Sequence, residues 1–218
     1  MSSKVTIRVI CEGPTDTIVV RGAVAALGID AVITQIQPED NGNLLGQFGG
    51  GWKGVRGWCE NASKTGMIEV VLGSADLLVI HVDADIAHDR RLDLLKPCPP
   101  ATDTANAVRA KILKWLGTAS TPDGVVLCVP AMATEAWVFC ALFPEDQLTE
   151  DIECRRDPAA LLTGKKPKLV AKKRRRYVKN LDAYKKALPR ITTGWKQPIP
   201  HLCQEGARFI EELKAVIA

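Results

Sequence analysis

Five acidic side chains follow apolar runs that stop abruptly. Glu12 and Asp16 lie in V-I-C-E-G-P-T-D, Asp83 and Asp85 in V-I-H-V-D-A-D, and Glu135 in T-E-A-W. Carboxylates held close together repel and raise one another's pKa unless a cation lies between them. On an extended chain Asp83 and Asp85 point to one side and Ala84 to the other. That pairing suits a hard divalent ion, Mg²⁺ or Mn²⁺; Mg²⁺ commonly binds through one or two carboxylates and keeps waters that a phosphate can replace. Glu12 completes such a site or acts beside it as a general base or acid. Gly13 lets the backbone turn where a side chain would block the ion. Pro14 sets the entry to a helix, and Asp16 falls on its first turn, where the dipole favours negative charge. Each piece has a plainer explanation: a Gly-Pro turn, surface aspartates after a strand, an acid that merely begins a helix. The combination carries the chemistry.

The elements that must present these acids can be read from periodicity. Val5 to Cys11 and Ala31 to Gln37 read as strands, and Thr15 to Leu27 as a helix ending at Gly28. Asn41 to Trp58 is so rich in glycine that a mobile surface loop is expected, followed by a helix over Cys59 to Leu72 that Gly66 weakens. Asp76 to Val82 is a continuous apolar run of the kind buried on both faces of a parallel sheet. A helix over Asp103 to Leu116, a strand over Val125 to Val129 and a short helix over Glu135 to Leu142 follow. This alternation predicts an α/β fold with a mainly parallel sheet flanked by helices. All three acidic groups then emerge at strand carboxyl ends, where open parallel sheets bind ligands. Residues 1–145 form the expected catalytic domain, and 146–218 a basic helical C-terminal extension packed on the same core.

The net charge of +4 hides a strong asymmetry. Lys165 to Lys186 holds eleven Lys or Arg against one acid, Asp182, a net of +10; the rest carries 18 bases against 24 acids, or −6. A charge run alone is most simply a solvated helix face. The density of K-K-R-R-R instead suggests an anionic partner. Seven scattered cysteines without C-x-x-C spacing predict reduced thiols and no zinc site. The N-terminus lacks a signal-peptide pattern and no apolar stretch approaches the roughly 18 residues of a membrane span, so a cytoplasmic protein is expected, away from membranes.

E-G-P-T-D after the first strand and D-A-D after a strongly apolar later one resemble the Toprim domain, over roughly Val5 to Leu142. Asp16 and the T-E-A-W glutamate are more like the OLD (overcoming lysogenisation defect) nucleases and their small stand-alone relatives. The resemblance implies a Toprim-like, Rossmannoid fold and a metal-dependent nuclease cleaving phosphodiester bonds, DNA favoured. Asp83, Asp85 and Glu12 would be catalytic and bind Mg²⁺ or Mn²⁺, with Asp16 and Glu135 at a second metal in a two-metal arrangement. Lys53 and Arg56 would neutralise the transition-state phosphate. Lys172, Lys173, Arg174, Arg175 and Arg176 would bind nucleic acid. The relatives imply an ABC/SMC-like ATPase subunit as partner, in antiviral or anti-plasmid defence; a homodimer is a further expectation. No G-x-x-x-x-G-K-[ST] occurs in this chain.

Two other readings stand beside this one. A GT-A-like glycosyltransferase also places D-x-D after an apolar strand, but leaves E-G-P-T-D and the basic run unexplained. A Toprim fold can also serve as a non-catalytic nucleic-acid-binding scaffold. A basic run bound to an acidic partner protein is a third, plainer outcome.

Overall fold

The computed structural model describes residues 4–41, 44–45, 47–94, 98–174 and 176–217. Strand β1 (Val5–Ile10) is followed by helix α1 (Pro14–Ala26), strand β2 (Ala31–Gln37) and the two-residue strands β3 (Asp40–Asn41) and β4 (Leu44–Leu45). Helices α2 (Gly51–Thr65) and α3 (Met67–Leu72) lead to β5 (Leu77–His81), a 3₁₀ turn at Ala84–His88, α4 (Ala101–Leu116), β6 (Val125–Cys128) and α5 (Thr134–Leu142). The remainder holds α6 (Pro158–Leu162), strands β7 (Val170–Lys173) and β8 (Arg176–Lys179), and helices α7 (Leu181–Lys196), α8 (Pro198–Leu202) and α9 (Gln204–Ile217).

Four strands form one parallel sheet in the order β2-β1-β5-β6. Strand side chains alternate between faces, and the apolar runs split accordingly. Ile7, Val9, Leu77, Val79 and Val126 pack with α1, α5, α7 and α9 on one face. Ile10, Leu78, Ile80, Val125 and Leu127 pack with α2 and α4 on the other. The chain runs outward from β1 to β2 and then returns to the opposite side of β1 at β5. Connections leaving these neighbours therefore diverge at their carboxyl ends, which opens a crevice there.

The glycine-rich stretch departs from expectation, because from Gly51 onward it is helix α2 and not a loop. Val55, Trp58, Cys59 and Ala62 are among its buried residues, an i, i+3, i+4, i+7 stripe on the core of that face. Here the glycines have steric work: a Cβ on Gly54 would lie 2.2 Å from the Gly49 carbonyl oxygen. Gly66 is in the left-handed region at φ 65° and divides the expected helix into α2 and α3.

The basic segment also differs, being an antiparallel hairpin rather than part of a helical extension. Val170 to Lys173 pairs with Arg176 to Lys179 around a turn at Arg174, φ 55°. Successive strand residues point to opposite faces, so the adjacent charges of Lys172 and Lys173 project away from each other. Cys98 and Cys154 form a disulfide, contrary to the expectation of reduced thiols throughout. Their separation of 56 residues leaves no local signal of the pairing.

Helix α7, absent from the expected elements although Leu181, Tyr184, Leu188, Ile191 and Trp195 recur at helical spacing, packs on α1 and α5. Trp195 donates from Nε1 to the Val19 carbonyl at 3.2 Å. A Cβ on Gly194 would stand 2.3 Å from Ala141 Cβ and 2.7 Å from its Cα. Gly194→Ala must therefore push α7 off α5, and a loss of about 1–3 kcal/mol is expected from overpacking, read as a lower urea midpoint.

Candidate active site

The carboxyl ends of the neighbouring strands β1 and β5 deliver Glu12 and Asp83 side by side. The backbone N–H of Asp83 donates to Glu12 Oε1 at 2.9 Å, which joins the two loops directly. Thr134, the first residue of α5 beyond β6, donates its N–H to Asp83 Oδ1 at 3.0 Å, and its hydroxyl lies 3.0 Å from the same oxygen. Three strand ends thus converge through side-chain hydrogen bonds. His81 closes the floor: it is almost wholly buried, with Nε2 2.9 Å from the Thr134 hydroxyl and 3.4 Å from Asp83 Oδ1. Its Nδ1 has no hydrogen-bond partner among the described residues and lies 3.9 Å from Asp16 Oδ2.

Asp16 serves two purposes. Its Oδ2 accepts the Gly13 N–H at 2.9 Å, as a helix-start acid does. Its Oδ1 faces the Thr134 hydroxyl at 3.3 Å and the Lys179 ammonium at 3.6 Å. Gly13 itself is extended, at φ −164°, and a Cβ there would meet only Asp16 Oδ2 at 3.8 Å. The clearance expected of this glycine is therefore not a steric requirement of the fold.

Glu135, buried in the first turn of α5, accepts from Lys179 Nζ at 2.7 Å and from the Tyr184 hydroxyl at 2.9 Å, both on Oε1. Lys179 reaches this point from the end of β8, so the basic hairpin is anchored in the acid cluster. Asp85 stands differently from expectation. The chain enters a 3₁₀ turn immediately after Asp83, so the two aspartates do not share an extended strand: Asp83 is buried and Asp85 is exposed at the mouth.

The electrostatics follow from this packing. Burial, then the Asp83 charge, pushes the Glu12 carboxyl well above its usual range, with His81 opposing. Burial would raise Asp83 too, but the His81 hydrogen bond and charge, Lys179 and the Thr134 N–H together hold it below the usual range. Burial in the crevice and then Asp83 raise Asp85 to about 7. Burial disfavours a charged His81, yet Asp16 and Asp83 overcome this and lift it to about 9. Burial likewise opposes charge on Lys179, and Glu135, Asp16 and Asp83 override it, so the ammonium is retained.

Among the described residues no three His, Cys, Asp or Glu side chains stand together as a ready metal cage. The donors nevertheless divide into two sets. Both oxygens of Asp16 and Oε1 of Glu135 are engaged by Gly13, Thr134, Lys179 and Tyr184. Glu12 Oε2, Asp83 Oδ2 and both Asp85 oxygens accept no hydrogen bond among the described residues. Those oxygens, on two strand ends, fit a hard cation that needs only one or two carboxylates.

Lys53 and Arg56 sit exposed on α2. Arg56 pairs with Glu60 at 2.7 Å and Lys53 lies over the Trp52 ring, so neither is joined to the acid cluster among the described residues. The nearer tie from this segment is backbone: Gly51 N–H donates to the Glu12 carbonyl at 2.8 Å. Lys172, Lys173, Arg174 and Arg176 are exposed on the hairpin, with Lys172 over the Tyr177 ring; Arg175 lies outside the described residues. Sequence reasoning does not single out His81, Thr134, Lys179 or Tyr184 as site residues. Nothing distinguishes Lys179 from ten other bases of its segment until strand pairing places it.

No family model, curated protein or solved structure matches this chain. No helix among the described residues is long and apolar enough to cross a membrane.

Proposed function

We propose that the chain is a metal-dependent nuclease of Toprim-like, OLD-like type, hydrolysing phosphodiester bonds with the acids of the β1 and β5 ends. The observation that carries this reading is the path of β8. One strand presents Arg176 to solvent and sets Lys179 among Glu135, Asp16 and Asp83, so a polyanion held on the hairpin lies beside the acid crevice. Five carboxylates against Lys179 and the buried His81 leave the crevice short of positive charge, which favours an added cation.

Glu12, Asp83 and Asp85 would hold Mg²⁺ or Mn²⁺, which supplies Lewis-acid charge and acidifies a bound water. The chain's own contribution is orientation. Thr134 fixes Asp83 through two hydrogen bonds, and the Asp83 N–H fixes Glu12. Asp85 stands at the mouth, where substrate enters. Burial and the Asp83 charge raise the Glu12 carboxyl, which makes it a candidate for proton transfer beside the ion. DNA as the substrate, and an ABC-class ATPase partner in defence against phages or plasmids, rest on the resemblance alone.

The test is nicking of plasmid DNA in Mg²⁺ or Mn²⁺ with a chelator control, run beside hydrolysis of UDP-sugars. Sugar-nucleotide turnover without nicking overturns the nuclease reading in favour of a glycosyltransferase. Charge reversal at Arg174 and Arg176 is expected to weaken binding at least tenfold and to lower the slope of log affinity against log salt by about 0.9 for each phosphate that the variant no longer neutralises. Fluorescence anisotropy with a labelled oligonucleotide over a salt series measures both. An unchanged slope points the hairpin toward an acidic protein instead.

A further inference from the structure

We infer that Lys179 permanently occupies the second-cation position of this site, so that the crevice takes one divalent ion and not two. The inference rests on the metal-site reading above and sharpens it. Asp16 and Glu135, the acids expected at a second metal, share one cation already: Nζ is 2.7 Å from Glu135 Oε1 and 3.6 Å from Asp16 Oδ1. Three of the four oxygens of this pair are engaged by protein groups, and Glu135 Oε2 accepts no hydrogen bond among the described residues. Gly13 N–H holds the other Asp16 oxygen, and Tyr184 donates to the same Glu135 oxygen as Lys179.

A dication between Asp16 and Glu135 would have to displace the ammonium, because two positive centres cannot contact the same oxygens without strong mutual repulsion. Displacement is opposed by the attachment of Lys179. It ends β8, whose pairing with β7 runs to Val170↔Lys179, and Asn180 N–H then bonds the Leu169 carbonyl at 2.8 Å. Helix α7 begins directly after Asn180, and Tyr184 on its first turns is fully buried against Glu135. The ammonium is thus delivered by a strand pinned at its root. A tethered charge cannot dissociate with falling metal concentration. Lys179 thus contacts Asp16 and Glu135 directly, while at Glu12, Asp83 and Asp85 four oxygens accept no hydrogen bond among the described residues.

The experiment counts bound Mn²⁺ by electron paramagnetic resonance and by isothermal titration of the full chain with Mn²⁺ alone. The wild type is expected to bind one ion and Lys179→Met two, the second with Asp16 and Glu135 as its ligands. Glu135→Gln, which preserves shape and the Tyr184 hydrogen bond, is expected to keep one ion with a dissociation constant within about twofold of wild type. Asp83→Asn should bind none. Two ions on the wild type overturn the inference and leave the metal-site reading standing. No ion on the wild type overturns the metal-site reading itself. Loss of an ion on Glu135→Gln, or a folded Lys179→Met that still binds one, also overturns the assignment of Lys179.

Discussion

Asp83→Asn is expected to lower metal-dependent cleavage by about three orders of magnitude, the several kcal/mol that a positioned metal contributes to a transition state. The substitution is nearly isosteric. Its amide oxygen can still accept the Thr134 N–H, so the junction of β5 and α5 should persist. What disappears is the charge on which His81 and Lys179 converge and which Glu12 and Asp85 feel from either side. Far-ultraviolet circular dichroism should be unchanged, and salt-sensitive oligonucleotide binding should remain because the hairpin is untouched. Cleavage within tenfold of wild type would remove Asp83 from the metal site. Parallel loss of binding and helix signal would show a structural role. The non-catalytic scaffold alternative predicts no nicking by either protein and equal binding by both.

Arg109→Met is expected to cost about 3–5 kcal/mol of stability, since removing one partner of a buried ion pair strands the other's charge. Arg109 on α4 pairs with Glu205 at the start of α9, and Glu205 is entirely buried. The pair is under-served even when intact: Arg109 Nε and Nη2 and Glu205 Oε1 have no hydrogen-bond partner among the described residues. A second acid adjoins it. Glu205 N–H donates to both oxygens of Glu153 at 3.2 Å, and Trp137 Nε1 donates to Glu153 at 3.1 Å. Burial raises the Glu153 carboxyl, against the pull of the Trp137 and Glu205 hydrogen bonds. Without Arg109, Glu205 would sit beside that carboxyl with no cation. Urea denaturation with a common slope measures the loss. The double variant Arg109→Met/Glu205→Leu should recover most of it, since replacing both partners of a buried pair by apolar side chains is commonly neutral or stabilising. A loss below about 1 kcal/mol for the single variant would mean that water already reaches the pair.

The acid cluster was legible because its signal is local. Glu12, Asp83 and Glu135 each follow an apolar run, and a parallel sheet brings such positions together whatever their separation. The boundaries of β1, β2, β5, β6, α1, α4 and α5 followed from periodicity to within about two residues. Three features misled. Glycines at Gly49 to Gly54 suggested a loop, although Val55, Trp58, Cys59 and Ala62 carried a helical stripe; composition was given more weight than period. Asp83 and Asp85 looked like an extended pair, because a 3₁₀ turn after a strand has no apolar pattern of its own. The basic run looked helical, since Lys and Arg are good helix formers and neighbouring Val170 and Val178 are too few to set a period of 2.

Taken alone, the chain's residues determined a parallel α/β sheet, the strand ends at which its acids emerge and the polarity between an acidic body and a basic segment. These properties depend on short-range pattern, on periods of 2 and 3.6 and on the crossover geometry that parallel strands require. The tertiary structure decided which acids keep free oxygens and which are already neutralised. Lys179 meets Glu135 and Asp16 only because β8 pairs with β7 and α7 packs on α1 and α5. Charge pairing between residues as far apart as Asp16 and Lys179 depends on where the backbone returns, and no spacing within the sequence encodes that distance.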